Sequence, residues 1–322
     1  MNRYRSLALL LSALPVVLGV ALASALSRLT PSIAAAVQPA LTQRVYLPMI
    51  LNFGSETVTP TVTPEPTTPA TPSELGLPSS MAAMGDSVTR AFNTGSSGFT
   101  DAPANSWSTG TTTSVNSLYL RMLATNPGLS GQNFNEARIG ANMIDLAGQA
   151  AAVNNLHVEY VTILMGANDV CTPSEAAMIS VDTFRAQFQA AMETLANGSP
   201  DARVYVLSIP NIYNLWSVLK GNSSARASWS LFNVCQSMLA NPTSTKRADV
   251  ERRERVLQRN VDFNTQLREV CAAFVNCRYD ENAVFNTVFV ADDVSTRDYF
   301  HPSVAGQAKL ASVIWGASGF AP

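Results

Sequence analysis

Met81-Ala82-Ala83-Met84-Gly85-Asp86-Ser87-Val88-Thr89-Arg90 begins as a short apolar run and breaks at a glycine. The run predicts a buried strand over Met81–Met84. Gly85 lets the chain turn sharply off its end, which places Ser87 just past the strand's carboxyl terminus. The pattern recurs: Val158–Met165 leads into Gly166-Ala167-Asn168-Asp169, and Phe134–Ala137 is followed by Arg138-Ile139-Gly140-Ala141-Asn142. Val204–Ile209 and Cys277–Tyr279 are further candidate strands. Between them, helical periodicity covers Val115–Ala124, Met143–Asn154, Val181–Asn197, Ser228–Leu239, Thr245–Phe274 and Ser303–Trp315. Strands that alternate with helices need crossover connections. The fold class is therefore α/β, a three-layer α/β/α sandwich around a five-stranded parallel sheet. Ligands in such sheets bind beyond the carboxyl ends of the strands, where Ser87, Gly140 and Asn168 stand.

Composition narrows the function. The chain has 322 residues, 47% hydrophobic and 14% charged, enough apolar content for a full core. A net charge of -2 supplies no field that would gather polyanions, so no nucleic-acid partner is expected. The most basic stretch, Lys246 to Arg259, interleaves arginines with Asp249, Glu251 and Glu254 and reads as a solvated helix face.

Arg3 and Arg5 precede an uncharged apolar run from Leu7 to Leu26 with small-x-small sites at Ala21-Leu22-Ala23 and Ala23-Ser24-Ala25. This reads as an export signal. A run of about 20 residues can also span a bilayer uncut, so secretion and a membrane tether through this segment both stay open. Threonines and Pro60, Pro64, Pro66, Pro69 and Pro72 then mark an extended spacer. The expected organisation is a signal peptide or signal anchor over 1–27, a Thr/Pro-rich linker over 28–77 and one folded domain over 78–322, a monomer. Four cysteines suit an oxidising, extracellular or cell-surface destination. Of three connectivities, Cys171–Cys235 with Cys271–Cys277 is favoured because the second pair is close in sequence; four buried thiols are the alternative.

Two histidines are present. His157 falls at the amino end of the third strand, about 25 Å from the crevice at roughly 3.3 Å per residue, and reads as structural. His301 lies in Asp298-Tyr299-Phe300-His301-Pro302, just before the last helix, with the proline expected at the first helical position. Asp298, three residues upstream, is placed to orient the imidazole. A single Gly-Asp-Ser turn or a single loop histidine says little, but the ordered set does.

Gly-Asp-Ser early, a glycine, Gly-x-Asn-Asp in the middle and Asp-x-x-His late resemble the SGNH hydrolases, also called GDSL lipases and esterases, across nearly the whole domain. Ser106-Trp107-Ser108-Thr109-Gly110 with Val115-Asn116-Ser117 looks like the phospholipase B-like bacterial branch, and Val88 stands where many members have isoleucine or leucine. The resemblance implies a flavodoxin-like fold, Ser87 as nucleophile and His301 with Asp298 as base and orienter. It also implies an oxyanion hole from Ser87, Gly140 and Asn168.

The chemistry is consistent with those assignments. A serine hydroxyl needs a neighbouring base to take its proton, and a developing oxyanion needs pre-positioned donors. Asp169 reads as a loop brace. No Gly-x-Ser-x-Gly elbow and no His-Glu-x-x-His occur, so neither the rival α/β-hydrolase arrangement nor a zinc mechanism is supported. No cofactor is expected. Trp107, Leu215 and Trp216 are candidates for a substrate pocket, with ordinary helix core as the other reading of the 211–219 segment. The expected function is hydrolysis of small-molecule or lipid carboxylic esters. A carbohydrate O-acetyl esterase and a non-catalytic surface module on the same fold are the alternatives.

Overall fold

The computed structural model describes residues 76–320, in which the run ending at Gly85 forms β1 (Met81–Gly85), buried throughout. There follow α1 (Leu118–Leu123), β2 (Asn133–Asn135), α2 (Leu146–Asn154), β3 (Tyr160–Leu164), α3 (Ala167–Val170) and α4 (Val181–Gly198). The chain continues through β4 (Arg203–Val206), α5 (Ile212–Leu219), α6 (Ser223–Leu231), α7 (Gln236–Leu239), α8 (Arg247–Cys271), β5 (Cys277–Tyr279) and α9 (Val304–Ala317). The five strands pair in parallel in the order β2-β1-β3-β4-β5.

Successive strand residues point to opposite faces, and both faces are apolar. Ala82, Met84, Val161, Ile163, Val204 and Val206 pack with Leu146, Phe184, Phe188 and Phe263 of α2, α4 and α8. Met81, Tyr160, Leu164 and Tyr205 pack on the other side with Leu118 and Met122 of α1 and Leu310 and Ile314 of α9. A parallel sheet covered on both faces is the three-layer architecture the sequence predicts. The strand order reverses direction between β1 and β3. A crevice opens there at the carboxyl ends, where the chain leaves β1 toward Ser87 and β3 toward Asn168.

Helix ends depart from expectation where side chains cap them. Ser117 Oγ accepts from the Leu120 N–H and starts α1 three residues later than the periodicity suggests. The single helix expected over Ser228–Leu239 is two, because Asn233 and Cys235 adopt left-handed backbone (φ 51° and 46°) and turn the chain between them. Cys235 is thereby delivered to Cys171, bridging α7 to the end of α3, while Cys271–Cys277 closes the loop from α8 into β5. Over 211–219 a helix forms, capped by Asn211 Oδ1 accepting from Asn214 N–H at 3.1 Å.

The signal segment over 1–27, and the linker over 28–77 apart from its last two residues, lie outside the described residues. Among the described residues no helix is long and apolar enough to cross a membrane.

Candidate active site

Gly85 carries φ +151°, and a Cβ there would stand 2.3 Å from the Leu164 carbonyl oxygen and 2.6 Å from Thr89 Oγ1. Only glycine lets β1 end this close to β3. The buried Gln149 amide clamps both backbone groups of Gly85, accepting from its N–H at 2.7 Å and donating to its carbonyl at 2.9 Å. Beyond the glycine, Asp86 Oδ1 accepts from Val88 N–H at 2.9 Å and the Phe92 N–H donates to Ser87 O at 3.0 Å. Ser87 therefore sits on a turn fixed at both ends.

His301 is held on the opposite wall. Val294 and Pro302 form an antiparallel bridge, and Ser295 N–H donates to His301 O at 2.8 Å. Helix α6 anchors the same loop: Ser228 Oγ donates to Asp298 O at 3.0 Å and Trp229 Nε1 to Tyr299 O at 2.9 Å. Pro302 is not at the first helical position as expected, because Ser303 caps α9 by accepting from Gly306 N–H at 3.2 Å and the helix starts at Val304. His301 still precedes the helix on a rigid connection.

These supports bring the imidazole Nε2 to 2.8 Å from Ser87 Oγ and its Nδ1 to 2.6 Å from Asp298 Oδ2. Phe92 and Phe300 flank the imidazole edge-on at 4.9 and 5.1 Å between centroids. Asp298 Oδ1 accepts from the Phe300 and His301 N–H groups at 2.9 and 3.1 Å. Burial alone would raise this carboxyl, but the hydrogen bond and charge of His301 together with the two N–H donors hold it below the ordinary carboxylate range. It stays ionised, which fixes the His301 proton on Nδ1 and leaves Nε2 as acceptor for the serine.

Hydrogen bonds tie together the segments that carry the oxyanion candidates. Arg138 N–H donates to Gly85 O at 3.1 Å, bringing the segment with Gly140 to the end of β1. Asn168 Nδ2 donates to Ala141 O at 2.9 Å and Asp169 Oδ2 accepts from Met143 N–H at 3.0 Å, joining the start of α3 to the same segment. The amide of Asn168 has two N–H groups, so one is left for a ligand. Behind the site, burial raises Asp86 to about 6 against its hydrogen bond from Val88. Burial likewise raises Asp169 to about 7 against its bond from Met143, and the like charge of Asp86 adds to the rise.

Two pocket expectations are corrected. Trp107 is fully enclosed in the layer between α1 and α9, its backbone N–H donating to Gln307 Oε1 at 3.0 Å, and it does not reach the crevice. Trp216 turns inward with Ile212 and Leu219, at i, i+4 and i+7 on α5. Its indole donates to Pro242 O at 2.8 Å, and Lys220 and buried Arg253 lie over its ring. Leu215, on the other flank of α5, does line a cavity of about 60 Å³, with Val88, Ala167, Phe289 and Phe300 among its apolar walls. His157 is exposed just before β3, at the far end of the sheet. Gln149 was missed; its signal was a glutamine at a core position of α2, between Leu146 and Val153.

The sequence profile of the GDSL-like lipase/acylhydrolase family matches residues 81–314. A search of curated proteins finds no match. Solved structures with a similar path include an α/β hydrolase from the metagenome of Lake Arreo, Spain (16% identity, 76% of this chain and 96% of that one, TM-score 0.47). TesA is similar at 14% identity over 74% of this chain and 97% of that one, with a TM-score of 0.45. Phospholipase A1 from Streptomyces albidoflavus NA297 is similar at 18% identity over 74% and 98%, with a TM-score of 0.42.

Proposed function

The chain belongs to the GDSL-like lipase/acylhydrolase family and is a carboxylic ester hydrolase, and from that premise we propose that it is exported and works through an acyl-enzyme on Ser87. The contact that carries the reading is the 2.8 Å approach of His301 Nε2 to Ser87 Oγ across 214 positions of sequence. As Oγ attacks the ester carbonyl, its proton passes to Nε2. Asp298 stabilises the resulting imidazolium without taking the proton. Negative charge on the carbonyl oxygen is received by the Ser87 and Gly140 N–H groups and the remaining N–H of the Asn168 amide. His301 then protonates the departing alcohol. In the second half, a water gives its proton to Nε2 and attacks the acyl-serine, releasing the acid and restoring the hydroxyl.

Export is supported by the charged-then-apolar leader, the proline-rich spacer and the pairing of all four cysteines. The apolar cavity lined by Leu215, Phe289 and Phe300, to which Val88 and Pro302, the chain neighbours of Ser87 and His301, also contribute, supports an ester whose acyl part is hydrocarbon, including lipid esters. Its small volume, about 60 Å³, favours short acyl groups and so keeps acetylated carbohydrate as a second substrate class. A fluorophosphonate probe tests the reading: it should label the native protein and leave Ser87→Ala unlabelled. Folded protein that takes no label would instead make this a binding module. A series of p-nitrophenyl esters of graded length, run beside phospholipid and acetyl-xylan, separates the two substrate classes.

A further inference from the structure

Asn93 lies six positions after Ser87, is 3% exposed and sits in left-handed backbone at φ 64°. Asparagine tolerates that region better than most residues do. The position is pinned from both sides, with Asn93 N–H donating to Thr100 O at 2.9 Å and Asn93 O accepting from Ser295 Oγ at 3.1 Å. Its side chain then donates from Nδ2 to Asp298 Oδ2 at 2.6 Å, across 205 positions of sequence. This is the same oxygen that accepts His301 Nδ1–H.

With the two N–H groups on Oδ1, Asp298 accepts four hydrogen bonds, about the capacity of a carboxylate. The other end of the Asn93 amide, Oδ1, is buried and has no partner among the described residues. A residue kept only to fill space would carry no such orphan, since a buried unpaired acceptor destabilises the fold. The arrangement makes sense through what Nδ2 does.

We propose that Asn93 is a positioning residue of the Ser87–His301–Asp298 triad: its amide fixes the direction of Asp298 Oδ2 and, by sharing that oxygen, limits how tightly the carboxylate holds a protonated His301. The inference rests on the ester-hydrolase reading of Ser87 and His301. Asn93 also couples the two walls of the site, because the adjacent Phe92 packs edge-on against the imidazole and Ser295 belongs to the loop that carries it. The other charged groups that bear on His301 are Asp298 on its own loop and Asp86 on the turn after β1. Neither changes in the variants below.

Asn93→Gly removes the amide and keeps the left-handed backbone unstrained. With one donor gone, Asp298 stabilises the imidazolium more strongly, so the acidic limb of kcat/KM should move up by about half to one pH unit. A less firmly aimed carboxylate should lower kcat by about tenfold or more while KM stays within about twofold. Ser295→Ala, which removes the hydroxyl donated to the Asn93 carbonyl and leaves the amide on Asp298, is the control and should leave the limb in place. Rates are normalised to fluorophosphonate-reactive sites, and wild-type labelling at Ser87 checks the underlying reading independently. An Asn93→Gly enzyme with wild-type kcat and an unmoved limb overturns the proposal, as does a loss of kcat with the limb in place. If the glycine variant does not fold, Asn93→Ala takes its place, since it too removes the amide from Asp298, and a wild-type kcat with an unmoved limb there overturns the proposal equally.

Discussion

Replacing Asp169 by asparagine leaves an acceptor for the Met143 N–H, now held by Asp169 Oδ2 at 3.0 Å, and removes a titrating carboxyl from a site that is 4% exposed. Desolvation, with repulsion from Asp86 behind it, raises that carboxyl from 3.8 to about 7. Between those two values the native protein keeps a proton that the unfolded chain has already released, so the native state binds more protons and stability falls as pH rises through the window. Each tenfold change in proton affinity is worth about 1.4 kcal/mol, so a rise of roughly three decades sets a ceiling on the order of 4 kcal/mol. Asp169→Asn abolishes this dependence. Relative to wild type, the variant should therefore gain at least about 1 kcal/mol of unfolding free energy on going from about pH 4 to about pH 8. Urea denaturation of both proteins at the two pH values, with slopes compared to exclude a change in exposed surface, measures it. A difference between variant and wild type that is the same at both pH values would refute the claim that Asp169 is buried with a raised pKa.

Asn168→Ala should lower kcat by about two to three orders of magnitude with little change in KM, because the donor it removes acts on charge that develops only in the transition state. Steady-state kinetics on a p-nitrophenyl ester reads this, and an unaltered kcat takes Asn168 out of the oxyanion hole. Gly85→Ala places a methyl 2.3 Å from Leu164 O in backbone that disfavours side chains. It should cost about 3 kcal/mol or more, a fall in Tm of about 6–12 °C for a domain of this size, followed by calorimetry; a wild-type Tm would mean that the β1–β3 approach is looser than described.

What could be read along the chain was whatever nearby residues determine. The Met81–Gly85 strand, the turn carrying Ser87, and Asn168 after β3 each follow from an apolar run, its punctuating glycine and the polar residue beyond, all within about ten positions. His301 was legible by a different route: of two histidines, the other lies at the wrong end of a strand. Two of the misreadings share a cause. Trp107 stands among serines, threonines and a glycine and looks like loop, yet α1 and α9 close over it, and α9 comes from two hundred positions away. The break between α6 and α7 contains neither glycine nor proline. It is Asn233 and Cys235 in left-handed backbone, with the bond to Cys171, that ends one helix and starts the next. Trp216 is the exception, since the i, i+4, i+7 spacing of Ile212, Trp216 and Leu219 marked an inward-facing stripe in the sequence itself.

The same division explains which parts of the site escaped notice. Ser87, His301 and Asp298 are residue types that the proposed chemistry requires, so a sequence can nominate them. Gln149 and Asn93 are amides whose partners, Gly85 and Asp298, lie 64 and 205 positions away. An amide has no reactivity to advertise, and its worth lies in hydrogen bonds whose geometry exists only after the sheet has closed. The local hints, a polar residue at a core position of α2 and an asparagine shortly after the nucleophile, suit dozens of structural roles. Much of the site's rigidity is therefore written in pairings that distance along the chain conceals.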